Sequence, residues 1–367
     1  MPSTAVLFGG PSPEHDVSIL TGLTSARALA DAGHQVEAVY WSKAGEFSAV
    51  DPTLEATAFV DGVPRGAREL QLQAGAGGGF VSEGRGLGRK RSVLELDAVV
   101  NCCHGGPGED GTLQAALDLA GIRYTGPSVA GAALGMDKLA FAAVVEAAGL
   151  PHLPVVALDA GGDAPFDGPY IVKPRFGGSS IGIEVFEDWD SVVAFARSPQ
   201  PHLRSGGVVE PYRAGAVDLE IGIRRHPELQ LSPISKPASK GAIFDYREKY
   251  VPGEGMAAAP RETPASLPDG AADTIRGAAR RVADLALVRG VARLDFLLID
   301  DQVVVNEINT IPGSLTKHLW VDPPIPFATL LADMIAEATR GPGRAYSTQG
   351  ADGSILRSAT SIASKLG

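Results

Sequence analysis

The chain is short of cysteine, of positive charge and of long apolar runs, and each shortage narrows what it can be. Of 367 residues only two are cysteine, the adjacent Cys102 and Cys103. They close an apolar run and read as small buried residues of a reducing compartment, not as a disulfide framework. Lys and Arg number 32 against 43 Asp and Glu, a formal charge of −11 with His neutral. That acidity argues against nucleic acid or an anionic membrane surface as a general partner, while leaving room for a local cationic pocket. No apolar run is long enough to cross a bilayer, and the Met-Pro-Ser-Thr start lacks the basic and apolar regions of a signal peptide. A cytoplasmic location is therefore expected. No strand is followed by Gly-x-Gly-x-x-Gly at a helix start, which argues against a nicotinamide-dependent enzyme. A Walker lysine motif and internal repeats are absent too.

What is present is ordinary in bulk. A hydrophobic share of 44% and a charged share of 20% suit a globular protein, and the length allows two or three domains. The strand Thr4–Phe8 stops at Gly9-Gly10-Pro11, a helical pattern runs from Ile19 to Ala32, and Val36–Tyr40 is the next strand. This is a βαβ unit over a parallel sheet. The pattern weakens from Ser48 to Arg91 and returns with the strand Ala98–Cys103, the turn His104–Thr112 and a helix over Leu113–Ala120. Asp137-Lys138 opens a helix that closes at Gly149 and Pro151. Tyr170–Pro174 is a strand carrying Lys173, and the Gly/Ser-rich stretch Arg175–Gly182 leads into Ile183–Val185. Amides of such turns can hold an anion, and the same residues serve equally as plain connections. Lys236–Pro260 is long and aperiodic, as lids are, and helices are expected at Ala271–Ala286 and Pro326–Ala338.

The chemistry concentrates between Arg293 and Gly313. Two β runs, Arg293–Ile299 and Val303–Ile308, turn at Asp300-Asp301-Gln302. Alternation along a strand puts Arg293 and Asp295 on one face, and Glu307 and Asn309 on one face of the next strand. Paired in register, Asp295, Glu307 and Asn309 converge with oxygen donors only, a set that suits Mg²⁺. A solvent-facing polar stripe on an edge hairpin accounts for the triplet as well.

Taken together, Gly9-Gly10-x-Ser12-x-Glu14-His15-x-Val17-Ser18, His104-Gly105-Gly106-x-Gly108-Glu109-Asp110-Gly111, Met136-Asp137-Lys138, Gly178-Ser179-Ser180-x-Gly182 and Asn306-Glu307-x-Asn309-Thr310-x-Pro312-Gly313 resemble the D-alanine–D-alanine ligases. The similarity runs from about Ala5 to Ala338. It implies an α/β, three-domain ATP-grasp architecture with an N-terminal doubly wound parallel-sheet domain. The expected boundaries are 1–126 for that domain, 127–205 for a central subdomain, 206–345 for a catalytic domain and 346–367 for a polar tail.

The resemblance also implies a mechanism. One amino acid's carboxylate attacks the γ-phosphorus of ATP, a second amino acid's amine attacks the resulting acyl phosphate, and phosphate leaves. Two Mg²⁺ ions, with Mn²⁺ as a substitute, would be held by Asp295, Glu307 and Asn309. Lys138 and Lys173 would hold α- and β-phosphates, Lys249 the γ-phosphate and Ser180 the covering loop. Glu210 would accept from the adenine amine. Asp218 would bind ribose, where the family usually has glutamate. Glu14 would take the first ammonium group, linked by Ser179 and Tyr250 to the lid. Val17 and His104 would lie beside the first substrate, and His318 and Leu319 beside the second. Arg293 and the Gly313 amide would stabilise the oxyanion, a role in which losing one donor costs about 3–4 kcal/mol. The family is cytoplasmic and dimeric, so a homodimer is expected.

Departures are local. The run after Gly313 is Ser314-Leu315-Thr316-Lys317-His318, with His318 where the family has a carboxylate-binding serine. Phe176-Gly177-Gly178 replaces Arg-Glu-Gly, and Pro211 replaces a lysine beside the adenine. A ligase of specialised metabolism or resistance with another second amino acid is the nearest alternative. A catalytically silent nucleotide-binding scaffold is the remote one.

Overall fold

The computed structural model describes residues 3–75, 77–83, 91–159, 161–238, 260–340, 347–359 and 361–362. Its first sheet has seven strands: β1 (Ser3–Gly9), β2 (Gln35–Trp41), β3 (Phe47–Val50), β4 (Arg68–Gln73), β5 (Gly79–Glu83), β6 (Arg91–Val93) and β7 (Ala98–Asn101). Their order is β6-β5-β4-β3-β2-β1-β7. The β2-β1-β7 core is parallel, and β3 to β6 extend it antiparallel. That extension fills the stretch where the sequence pattern fades, because its strands are short and two of them, β4 and β6, are largely exposed with little alternation.

Helix α1 (His15–Asp31) joins β1 to β2. It begins four residues before the expected Ile19, since its first turn is polar and carries no periodic signal. Alternate residues of β1 face opposite layers. Val6 and Phe8 join Ile19, Leu23 and Leu29 of α1, whereas Ala5 and Leu7 join Leu113 and Leu117 of α2 (Thr112–Leu119). Gly22 lets α1 lie directly on the strand, because a β-carbon there would stand 2.4 Å from Phe8 Cβ.

Two short helices follow, α3 (Val129–Met136) and α4 (Lys138–Ala147). Asp137 caps α4 by accepting from the amides of Leu139 and Ala140. The second sheet holds β8 (Val156–Ala157), β9 (Tyr170–Pro174), β10 (Glu184–Phe186) and β11 (Gly207–Pro211) in the order β10-β9-β11-β8, with α5 (Trp189–Arg197) against it. The third holds β12 (Val217–Arg224), β13 (Gln230–Pro237), β14 (Arg261–Glu262), β15 (Val291–Ile299) and β16 (Gln302–Asn309), in the order β14-β13-β12-β15-β16. Helix α6 (Ala271–Leu285) buries Ile275, Ala279 and Val282 against this sheet, at helical spacing.

The last long helix, α7 (Phe327–Arg340), returns to the first sheet. Its Leu330, Leu331, Met334 and Ile335 share a core with Val6, Phe8 and Val100. The tail carries a short helix, α8 (Ser354–Ser358). Among the described residues no helix is long and apolar enough to cross a membrane.

Candidate active site

The β15–β16 hairpin sets the site. Asp295 lies opposite Glu307 and Arg293 opposite Asn309, so all four side chains share one face as their alternation predicts. The strands are not in simple register, however. A bulge between Asp295 and Phe296 makes Val305, not Asn306, the partner of Phe296. One extra residue flips the faces beyond it. Ile308 and Val305, three apart, can therefore both enter the core, while Glu307 and Asn309 stay on the site. Period-two alternation along the two strands does not reveal this bulge.

The Arg293 guanidinium donates to both Asp295 oxygens at 2.7 Å, and Asn309 Nδ2 donates to Asp295 Oδ2 at 3.0 Å. Burial pushes the Asp295 carboxyl up to about 6. Arg293 opposes that shift and the nearby charges of Glu307 and Glu220 add to it. Lys138 Nζ lies 3.4 Å from Glu307 Oε2 and donates to Gly177 O at 2.6 Å, which links this hairpin to the Gly/Ser stretch. Two carboxylates and an amide oxygen in a partly buried setting fit a hard cation that keeps some of its water. Among the described residues no group of three or more His, Cys, Asp or Glu side chains is gathered as a metal centre.

Lys173 is buried against Glu210, donating to its Oε2 at 2.7 Å and to Asn306 Oδ1 of the bulge at 3.5 Å. Burial alone would lower the Lys173 ammonium, but Glu210 more than offsets it, so its pKa is raised. Glu210, Phe141, Val145, His152, Leu153 and Val305 line a small, partly enclosed cleft with room for little more than a water molecule. Asp218 is exposed on β12 in the row opposite Leu297, and its charge acts on Lys173.

Glu14 begins α1, and Ser179 Oγ donates to its Oε1, a contact that joins the first sheet's unit to the Gly/Ser stretch. Ser179 and Ser180 take left-handed φ values of 52° and 58°. Gly105 approaches Glu14 so closely that a β-carbon there would stand 2.3 Å from its Oε2. Val17 is buried in the first turns of α1. His104 is buried with both nitrogens engaged. Nδ1 donates to Ile311 O at 2.7 Å, and Nε2 lies 2.8 Å from Thr21 Oγ1. Burial holds this imidazole below its usual range. His104 thus links α1 to the segment after β16.

Gly313 opens a tight turn, Gly313–Leu319, in which Ser314, Leu315 and Thr316 are all left-handed. Leu319 is fully buried, and both ring nitrogens of His318 are buried without a hydrogen-bond partner. Burial lowers the His318 imidazole, and Glu220 Oε1, 3.6 Å from Nε2, pulls the other way. Lys249 and Tyr250 lie outside the described residues.

Three residues assigned no role from the sequence belong here. Glu220 on β12 is buried between Arg261, which donates to it, and Arg293, whose Nε is 3.4 Å away. Burial would raise this carboxyl, yet His318, Arg293 and Arg261 hold it down at about 2. Glu109 is the third, a buried acid between Gly105 and Ile311. An acidic residue alternating with apolar neighbours in Val217–Arg224 was the only sequence signal for Glu220.

Comparisons with known proteins agree with this geometry. The D-ala D-ala ligase N-terminus model matches residues 3–127, and the D-ala D-ala ligase C-terminus model matches 144–336. D-alanine–D-alanine ligase of Mycolicibacterium smegmatis is 34% identical over 369 residues, covering 92% of this chain and 96% of the relative. That of Mycobacterium tuberculosis H37Rv is 35% identical over 367 residues, covering 90% and 94%. Among solved structures, D-alanine–D-alanine ligase from Helicobacter pylori superposes with TM-score 0.71 at 22% identity over 93% of this chain and 100% of that one. VanG D-Ala:D-Ser ligase from Enterococcus faecalis gives 0.74 at 23%, over 92% and 99%. At such identities the structures speak for the fold, the ATP-grasp architecture, and the two family models with the relatives above 30% carry the assignment: the chain belongs to the D-alanine–D-alanine ligase family of ATP-dependent ligases.

Proposed function

We propose that the chain joins two D-alanine molecules into D-alanyl-D-alanine, with release of ADP and phosphate, for peptidoglycan precursor synthesis. The observation that carries this reading is the face shared by Arg293, Asp295, Glu307 and Asn309, with Lys138 reaching Glu307 from α4. Phosphoryl transfer asks a protein for positioning and charge neutralisation more than for a covalent nucleophile, and this face offers both signs of charge. Asp295, Glu307 and Asn309 would hold Mg²⁺, or Mn²⁺ in its place, which when bound supplies charge neutralisation at the nucleotide's terminal phosphates. Lys138 and Lys173 take phosphate oxygens, and Ser180 covers them. Glu210, at the edge of that small cleft, accepts from the adenine amine, and Asp218 binds ribose.

Glu14, held by Ser179, binds the first substrate's ammonium group, with Val17 and His104 walling that subsite. Arg293 and the Gly313 amide take the oxyanion that develops on the reacting carboxyl. His318 and Leu319 form the second subsite, and His318 has unspent hydrogen-bonding capacity for an acceptor carboxylate. By the family's pattern Lys249 would take the γ-phosphate and Tyr250 would join Glu14 and Ser179; both lie outside the described residues. A cytoplasmic homodimer belongs to the same reading, and light scattering on the purified protein tests the dimer.

The deciding experiment is a scan of phosphate release by the purified protein over D- and L-amino acids, with ATP and Mg²⁺ and with product masses. D-alanine alone is expected to give turnover and the mass of its dipeptide. Turnover only with another pair of amino acids overturns the substrate assignment, and no turnover on any pair overturns the ligase reading.

A further inference from the structure

Ile311 is the point where the first unit takes hold of the catalytic one. Its N–H donates to Glu109 Oε1 at 2.8 Å, and its C=O accepts from His104 Nδ1 at 2.7 Å. Both side chains come from the loop after β7. The other oxygen of Glu109 accepts from Gly105 N–H at 2.9 Å, and Gly105 is the residue pressed against Glu14. A single backbone residue thus has both polar groups held by side chains, as a strand partner would hold them. It lies two residues before Gly313.

The turn that follows needs such an anchor. Ser314, Leu315 and Thr316 have φ of 51°, 47° and 59°. Left-handed backbone costs L-residues about 1–3 kcal/mol each and persists only where the surroundings over-determine it. Downstream, the turn is fixed by buried Leu315, Leu319 and Trp320, whose Nε1 donates to Thr316 Oγ1 at 3.0 Å. Upstream, it is fixed at Ile311.

We infer that Glu109, as a carboxylate bridging the amides of Gly105 and Ile311, is a positioning residue that sets Gly313 N–H toward the reacting carboxyl and Gly105 against Glu14. This rests on the ligase reading above, in which Gly313 is an oxyanion donor. Only the ionised form does the work. A carboxylate accepts at both oxygens, whereas a carboxylic acid or a carboxamide turns a donor toward one of the two amides.

Burial, reinforced by the charge of Glu14 at the start of α1, pushes the Glu109 carboxyl up to about 7, against the pull of the amides of Gly105, Ile311 and Thr310. Burial lowers the His104 imidazole on the same loop, against the charge of Glu14. An acid whose folded pKa exceeds its unfolded one takes up a proton more readily in the fold. Its protonation therefore adds stability as pH falls from about 7 toward 4.5. Turnover moves the other way, because protonation undoes the bridge.

The test is Glu109→Gln in the full chain, assayed with ATP, Mg²⁺ and the amino acid that the wild type uses. At about pH 8.5 the variant is expected to melt at or above the wild-type temperature, since it lacks a buried charge. Its kcat should be lower by roughly tenfold or more, with KM for ATP within about twofold. From about pH 8.5 down to about pH 7, wild-type kcat should drop toward that of the variant, whose own profile is flatter over that range; below it Asp295, raised to about 6, titrates in both. Should Glu109→Gln fail to fold, Glu109→Asp decides instead: it keeps the acid but shortens its reach to the Ile311 N–H, so kcat should fall roughly tenfold while KM for ATP stays within about twofold. Wild-type kcat in the variant overturns the proposal. So does a parallel loss of kcat, ATP affinity and stability, which marks a merely structural residue. A wild type inactive on every amino acid pair overturns the ligase reading itself.

Discussion

Glu220→Gln isolates the charge cluster behind the hairpin. Glu220 is 7% exposed and meets Arg261 directly, Arg293 at 3.4 Å and His318 at 3.6 Å. Burial opposes its charge, yet these three neighbours hold the carboxyl at about 2, against 4.5 in an unstructured chain. At about 1.4 kcal/mol per pKa unit, that difference is worth roughly 3 kcal/mol. The sign follows from linkage. A carboxyl whose pKa is depressed by folding gives stability that is complete above about 4.5 and lost as pH falls through about 2. Glutamine approximates the protonated acid in shape, so the variant should lose roughly 3 kcal/mol at neutral pH. The deficit should stay constant from about pH 5.5 to about pH 9, where Glu220 is ionised throughout. Urea unfolding reads it, with tryptophan fluorescence as reporter, since Trp320 is buried at the end of the His318 turn. Under the proposed role of Arg293 as an oxyanion donor, turnover should fall as well, because Arg293 loses its ion pair with Glu220 and keeps that with Asp295. A deficit under about 1 kcal/mol, or one that shrinks between about pH 9 and about pH 5.5, would refute the reasoning.

Three further outcomes follow from the contacts. Gly105→Ala places a β-carbon 2.3 Å from Glu14 Oε2 at a residue with φ of 63°, so KM for the first amino acid should rise by roughly tenfold or more while nucleotide affinity holds; steady-state kinetics check both. Lys173→Met leaves the Glu210 carboxylate buried without its counter-ion, which should cost about 3–5 kcal/mol in chemical denaturation and abolish measurable nucleotide binding. EDTA should stop turnover, with recovery on adding Mg²⁺ or Mn²⁺, yet leave the melting curve nearly unmoved. Asp295 is already held by Arg293 and Asn309, so the fold does not depend on a metal there; differential scanning fluorimetry reads this.

How much of this was legible in the sequence depends on how local each feature is. Arg293, Asp295, Glu307 and Asn309 could be placed on one face because period-two alternation and a short polar turn determine a hairpin. The bulge beside them could not. A single unopposed residue leaves the alternation readable on either side and shows only when Ile308 and Val305 are both found in the core. The loop from His104 announced itself through its glycines, but its grip on Ile311 spans 202 residues, and no pattern along the chain encodes such a pairing. Arg261 and Glu220, 41 residues apart, met for the same reason unseen. Helix α3 escaped because Val129–Met136 is small and apolar all round, without a polar face to set a period.

Among the described residues, the cations assigned to phosphate or to the oxyanion are all paired in the protein as it stands. Lys173 is paired with Glu210, and Lys138 with Glu307 and Gly177 O. Arg293 is shared between Asp295 and Glu220. A set of unpaired cations so close together would repel one another and destabilise the fold. The interleaved carboxylates remove that cost and at the same time fix each cationic head where a ligand anion will need it. Binding then exchanges partners rather than reorganising side chains, which is how a pre-set charge array lowers a phosphoryl-transfer barrier. On this view the acids of the site are not spectators awaiting a metal: Glu210 and Glu220, which ligate none, are as necessary to the placement of Lys173 and Arg293 as the hairpin that carries Arg293.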